Sequence, residues 1–174
     1  ARFEGRHSDF LNPAMKRLQQ ELIRRWAPQG RVLIPLLEAD GKIVAAGFSY
    51  QGAWSDVALV RYTDAGALDT SFGAGGKTIL SFSALDDFAF AAALSPEGGI
   101  LLGGSTPGVG LHRDLLIARC TSNGALDTGF AGGAGYTRSA ELNATQECRG
   151  LAAQSDGRIL FAGKTSSGGG RILL

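Results

Sequence analysis

The chain has 174 residues, of which 44% are hydrophobic and 19% charged, and this composition excludes a disordered protein. The formal net charge is +1, which gives no whole-protein argument for binding nucleic acid or an anionic membrane. No apolar run approaches the roughly 20 residues that a spanning helix needs, so no membrane span is predicted. The 26 glycines indicate many tight turns between short strands.

Residues 1–31 are the basic part of the chain, with seven lysines and arginines against three acidic residues. Between Lys16 and Trp26, apolar residues at three- and four-residue steps favour a helix. The repeat register described below instead favours a strand there, and both alternatives stay open. Arg24 and Arg25 beside Trp26 are the candidate binding residues, because arginine next to an aromatic ring can contact phosphates and stack on bases.

A turn made of an acidic residue and a glycine, followed by an apolar run and a second glycine, occurs three times. The copies begin at Asp40, Glu97 and Asp156, at steps of 57 and 59 residues. Glycine can adopt the positive φ that a hairpin turn requires. The pattern therefore predicts one strand hairpin in each copy of a repeat.

A second signature repeats at an offset of 58 residues between segments 57–72 and 115–130. Gly66 and Gly124 follow a predicted strand and are expected to be structural turn residues. Asp69 and Asp127 also recur, which argues against catalysis because an active site is made once and a turn is made in every repeat. We expect each carboxylate to accept hydrogen bonds from nearby backbone amides. The shared pairs also include Arg61/Arg119, Leu68/Leu126 and Phe72/Phe130.

These signatures divide the chain into three units of about 58 residues within a single repeat domain, 1–174: a divergent first unit 1–56, a second unit 57–114 and a third unit 115–174. The predicted fold is all-β, with three four-stranded, propeller-type blades. The alternative is a β-trefoil, in which three units close about a threefold axis. In the middle copy the predicted strands are 77–82, 88–94, 99–102 and 115–120. Strand 88–94 is apolar throughout, which predicts burial on both faces.

The sequence Asp-Thr-Ser-Phe-Gly at 69–73, together with Asp-Gly-Lys-Ile at 40–43, resembles the delta-60 repeat family of bacterial β-propeller-like proteins. The resemblance covers nearly the whole chain and is most specific in the second and third units. It implies a propeller fold and a secreted or surface-attached protein, so an extracellular or cell-surface location is favoured. It implies no particular chemistry.

Few residues are candidates for chemistry. The adjacent pair Asp86 and Asp87 is interpreted as solvated loop charge, the alternative being acid–base work or metal binding. Cys120 and Cys148 allow at most one disulfide, and free and bonded thiols are both open. The glycine-rich stretches lack a phosphate-loop sequence, and no metal-ligand spacing or serine-centred motif occurs. No catalytic residue, metal or cofactor is therefore predicted.

The predicted function is a non-enzymatic binding or scaffold module, whose ligand could be a protein or a glycan. Loops 49–55, 106–113 and 164–170 differ in every copy and are the expected contact surfaces. One alternative is a propeller-type hydrolase or lyase with acidic residues in a central funnel. Another is nucleic-acid binding through the basic first unit. Because three blades do not close a ring, we also expect either self-association that completes one or a longer array.

Overall fold

The computed structural model describes residues 36–39, 41–50, 52–110, 112–139, 144–166 and 171–173. Apart from a single 3-10 turn at Ala131–Gly133, the regular structure of these residues is β, so the predicted all-β class is confirmed. The segment from Lys16 to Trp26, with its two alternatives, lies outside the described residues. No helix in the described part of the chain is long and apolar enough to cross a membrane. The strands are β1 Leu36–Ala39, β2 Lys42–Tyr50, β3 Ser55–Tyr62, β4 Lys77–Leu80, β5 Phe88–Leu94, β6 Ile100–Pro107, β7 Arg113–Cys120, β8 Tyr136–Ser139, β9 Gln146–Ala153, β10 Ile159–Thr165 and β11 Arg171–Leu173.

The strands form separate antiparallel sheets in which each strand pairs with its neighbour in sequence. The first sheet has the order β1-β2-β3-β4, the second β5-β6-β7-β8, and the third contains β9, β10 and β11. Among the described residues no strand pairs with a strand of another sheet. Consecutive meanders of this kind are the blades of a propeller, whereas a trefoil would need strands of different units to close one barrel.

One predicted strand belongs to a different sheet than the sequence grouping suggested. Strand β4 was expected to begin the blade that contains β5, but it pairs with β3, for example through Val57 opposite Leu80. The equivalent strand of the second sheet is β8, which pairs with β7. Each of the first two sheets therefore contains strands from two consecutive units of the repeat. As a result, loops 49–55 and 106–113 join the second and third strands of a sheet.

The core lies between the sheets. Val57, Leu59 and Phe72 of the first sheet pack with Leu102 and Leu116 of the second in one buried cluster. A smaller cluster joins the second sheet to the third and includes Leu115, Ile117 and Cys148. The central strands β6 and β7 of the second sheet are thus buried along most of their length, between the first sheet on one side and the third on the other.

The two cysteines lie in different inter-sheet layers and are both free and buried. Burial raises the pKa of the Cys120 thiol to about 12, and the nearby negative charge of Asp127 acts in the same direction. Burial likewise raises the pKa of the Cys148 thiol to about 11. Packing at Cys148 is tight, because a Cβ added at Gly103 would lie 2.5 Å from its Sγ. The thiols therefore act as small apolar core groups.

Candidate functional site

The recurring aspartate of the first sheet lies in a compact polar cluster. Arg61 Nε donates to Asp69 Oδ2 over 2.8 Å, and the guanidinium lies 4.6 Å from the centre of the Phe72 ring. Asp69 Oδ1 accepts hydrogen bonds from the backbone amide and the hydroxyl of Ser71, at 3.1 and 2.6 Å. The Ser71 hydroxyl and then Lys42, whose Nζ lies 3.0 Å from Asp69 Oδ2, hold the pKa of the carboxyl well below its usual range. We call Arg61, Asp69 and Phe72 the first cluster.

The second sheet repeats this cluster with the residues at the 58-residue offset. Arg119 Nε donates to Asp127 Oδ2 over 2.7 Å, and its guanidinium lies 5.1 Å from the centre of the Phe130 ring. The amide of Gly129 donates to Asp127 Oδ1 over 2.9 Å, which is the kind of turn bond expected from the sequence. We call Arg119, Asp127 and Phe130 the second cluster.

The two predicted turn glycines have the backbone conformation that the turn requires. Gly66 and Gly124 have φ values of +81° and +88°, in the region that side chains disfavour. Each glycine amide donates to the carbonyl of the threonine three residues earlier, over 2.9 Å. The two turns thus have the same internal hydrogen bonds.

Three connections meet at the opposite end of the first two sheets from these turns. The amide of Ser55, where β3 begins, donates to Asp86 Oδ1 over 2.8 Å, and Ser55 O accepts from the amide of Asp87 over 2.7 Å. Arg113 Nη2, where β7 begins, donates to Asp86 O over 2.5 Å. Loops 49–55 and 106–113 are therefore held against the connection 81–87. We call the described residues of 48–55, 81–88 and 105–113 the loop-end surface.

Asp87 is the buried anchor of the loop-end surface, and its interpretation as a solvated loop charge is wrong. Its side chain is 0% exposed. The carboxylate accepts hydrogen bonds from the amides of Phe82 and Ser83, at 2.7 and 2.9 Å, and from Thr106 Oγ1 at 2.6 Å. The hydroxyl of Thr106, which is 0% exposed, would otherwise be buried without a partner, so the carboxylate replaces the water that a solvated loop would use. Asp86 is half-buried.

Arg113 connects this polar network to aromatic rings. Its Nε donates to Ser105 Oγ over 2.8 Å, and its guanidinium lies 4.5 Å from the centre of the Phe88 ring. Phe88 in turn meets Phe48 edge-on, with ring centres 4.7 Å apart. Partial burial lowers the pKa of Arg113, while the charges of Asp86 and Asp87 oppose that shift. The base of the loop-end surface is therefore fixed by hydrogen bonds and ring contacts from both sheets.

Large apolar side chains are concentrated on the loop-end surface. Of the seven large hydrophobic residues that are exposed in the described part of the chain, five lie there, and the other two are Ile79 and Leu160. Exposed apolar side chains that lie together in this way are typical of an interaction surface. The five residues are Phe48, Tyr50, Trp54, Leu85 and Val109.

The acidic side chains of the loop-end surface bond within the chain. No group of histidine, cysteine, aspartate or glutamate side chains among the described residues is placed to hold a metal ion. Asp87 is enclosed by its hydrogen-bond donors, and Asp86 is bonded to the chain at Ser55. Arg24, Arg25 and Trp26 lie outside the described residues. The sequence indicated the variable loops and the recurring aspartates, but it gave no signal for the burial of Asp87.

Comparison with known families agrees with this architecture. A family model described as a β-propeller domain of unknown function (DUF5122) matches residues 38–72, which extend from β1 to the end of the first cluster. No curated protein gives a significant match. The family match and the separate four-stranded meanders together support a β-propeller-like repeat protein.

Proposed function

We propose that this chain is a non-enzymatic β-propeller repeat segment that binds a protein partner through the loop-end surface, as a binding or scaffold module. The observation that carries the proposal is the concentration of exposed apolar side chains there, with Tyr50 and Trp54 among them. The resemblance to delta-60 repeats further supports a bacterial protein that is secreted or attached to the cell surface.

The chemistry of the surface favours a protein over a glycan. Tyrosine, tryptophan and phenylalanine are enriched at protein interfaces, where they fill pockets on the partner. A glycan would need exposed polar groups for its hydroxyls, but Asp87 and much of Arg113 already bond within the chain. A base fixed in this way also lowers the cost of ordering the loops on binding.

The alternative functions have less support. A hydrolase or lyase would need a carboxyl that reaches its substrate, and Asp87 is fully buried. Nucleic-acid binding would use Arg24, Arg25 and Trp26. That alternative is tested by titrating binding against salt, since contacts with phosphates weaken steeply as salt rises.

The proposal is tested by selecting peptides from a random phage-displayed library against the chain and measuring their binding to variants. We expect the selected peptides to bind the Tyr50→Ser, Trp54→Ser double variant about 100- to 1,000-fold more weakly, because aromatic hot spots each contribute about 2 kcal/mol. The matched control is Ile79→Ser, Leu160→Ser, which removes two exposed apolar side chains away from the loop-end surface.

Peptides that bind the control variant as they bind the original chain would support the proposal. Circular dichroism spectra of both double variants should match that of the original chain, which separates loss of binding from loss of fold. Selected peptides that depend on Ile79 and Leu160 instead, or that are unaffected by the loss of Tyr50 and Trp54, would contradict it.

A further inference from the structure

The first cluster is covered by a turn of the second sheet. Arg61 Nη1 donates to Ser122 O over 2.7 Å, and the amide of Gly73 donates to Asn123 O over 2.9 Å. Gly124 lies against the Phe72 ring so closely that an added Cβ would be 2.5 Å from it. The turn 121–124 therefore binds the cluster through two carbonyl groups and one glycine.

This cover buries the first cluster almost completely. Phe72 is 0% exposed, and the side chains of Arg61 and Asp69 are 11% and 9% exposed. Gly124, on the covering turn, is buried as well. The contact is thus a small, specific interface between one sheet and the turn that follows the third strand of the next.

The second cluster has the same internal geometry without such a cover. The side chains of Arg119 and Asp127 are 25% and 26% exposed, and Phe130 is only half-buried. In the described part of the chain, the Nη atoms of Arg119 donate to no acceptor, whereas Arg61 uses both of its own.

The backbone at Ala131, next to Phe130, has the φ of the residue that bonds to the covering turn in the first sheet. Ala131 has a φ of +52°, the same value as Gly73, which is the residue that donates to the covering turn in the first sheet. A positive φ is unfavourable for a residue with a side chain, so the conformation needs a reason. No described residue accepts the amide proton of Ala131. The amide is therefore held in the position from which its equivalent makes the inter-sheet bond.

We propose that Arg119, Asp127 and Phe130, with the amide of Ala131, are the docking site for a Thr-Xaa-Xaa-Gly turn that continues β11. The strand register supports this occupant, because Leu173 pairs with Gly163 as Leu116 pairs with Gly104. Strand β11 thus has the place of β7, the strand that leads into the turn 121–124. The occupant must offer two carbonyl groups to the guanidinium and the amide, and a glycine to the ring. The site lies at the opposite end of the sheets from the loop-end surface, so the inference does not depend on the proposed function.

The experiment extends the chain after Leu174 by Ala-Arg-Ala-Thr-Ser-Asn-Gly-Ala-Leu, a copy of residues 118–126 with the cysteine replaced by alanine. The control extension is identical except that valine replaces its glycine. We expect the glycine extension to raise the melting temperature by about 2–4 °C over the control. Arg119→Ala should remove at least half of that rise, while Arg61→Ala should leave the rise unchanged because Arg61 belongs to the first cluster.

Hydrogen exchange gives a second readout that needs no substitution in the sheets. The amide of Ala131 should exchange at least about tenfold more slowly in the chain with the glycine extension than in the original chain. Equal melting temperatures for the two extensions, together with unchanged exchange at Ala131, would overturn the proposal. A rise that survives Arg119→Ala would do the same. A rise seen only in a dimer would show that a second copy supplies the turn, and would overturn the assignment to the continuation of β11.

Discussion

Removing the carboxylate of Asp87 tests whether it anchors the loop-end surface. In Asp87→Ala, the amides of Phe82 and Ser83 and the hydroxyl of Thr106 lose their acceptor in a site with no solvent exposure. A buried group left without a partner costs about 1–3 kcal/mol, and water that enters the cavity recovers part of that loss. We therefore expect the free energy of unfolding to fall by about 3–5 kcal/mol.

Two further variants make the prediction specific. Asp86→Ala removes the acceptor of one backbone amide, that of Ser55, at a half-buried position, and should cost only about 1 kcal/mol. Asp87→Asn keeps the shape of the side chain. Its amide oxygen can accept from the two backbone amides while its NH₂ group takes the place of Oδ1 and donates to the hydroxyls of Thr106 and Ser83, which can turn to accept. This variant should cost about 1–2 kcal/mol.

Urea unfolding followed by circular dichroism measures these differences. The midpoint should shift for each variant while the slope stays constant, since the surface exposed on unfolding does not change. The expected order of stability is original chain, Asp86→Ala, Asp87→Asn and Asp87→Ala, with the first two variants close together. Equal losses for Asp86→Ala and Asp87→Ala would refute the reasoning, because the two residues would then be equivalent loop charges.

Three other predictions concern the turn glycines and the buried cysteines. Gly124→Ala should destabilise the chain by about 2–4 kcal/mol, through backbone strain and overlap with the Phe72 ring. A Cβ added at Gly66 meets nothing within 4 Å, so Gly66→Ala should cost only the strain of about 1 kcal/mol. Equal melting temperatures for the two variants would contradict the packing argument. Cys120 and Cys148 should not react with a thiol reagent at pH 8 until the chain unfolds, and rapid labelling of the native chain would argue against their burial. Because burial raises both thiol pKa values above the unfolded value of about 8.5, stability should fall as the pH rises from about 9 towards 11–12, and the decline should be smaller in Cys120→Ala.

The repeat and the class of fold could be predicted from the sequence alone. Turn chemistry is local, so the glycine of each Thr-Xaa-Xaa-Gly turn and the aspartate after it could be found from a few neighbouring residues. Their hydrogen bonds span two to four positions, as from Ser71 to Asp69 and from Gly129 to Asp127. The strands followed from apolar runs bounded by such turns, and the all-β prediction is confirmed.

The way in which the repeats pack together depends on contacts between distant parts of the chain. The contacts that decide this packing join residues far apart in the chain. Ser55 bonds to Asp86, 31 residues away, at the loop-end surface, and Thr106 bonds to the buried Asp87, 19 residues away. Arg61 of the first cluster bonds to Ser122 of the covering turn, 61 residues away. The sheet to which β4 belongs was decided in the same way, since its pattern fits either neighbouring sheet and its pairing with β3 fixes the choice. An aspartate in a loop has the same local sequence whether water or a neighbouring strand surrounds it. Its burial depends on the packing of sheets against each other, which no local pattern encodes.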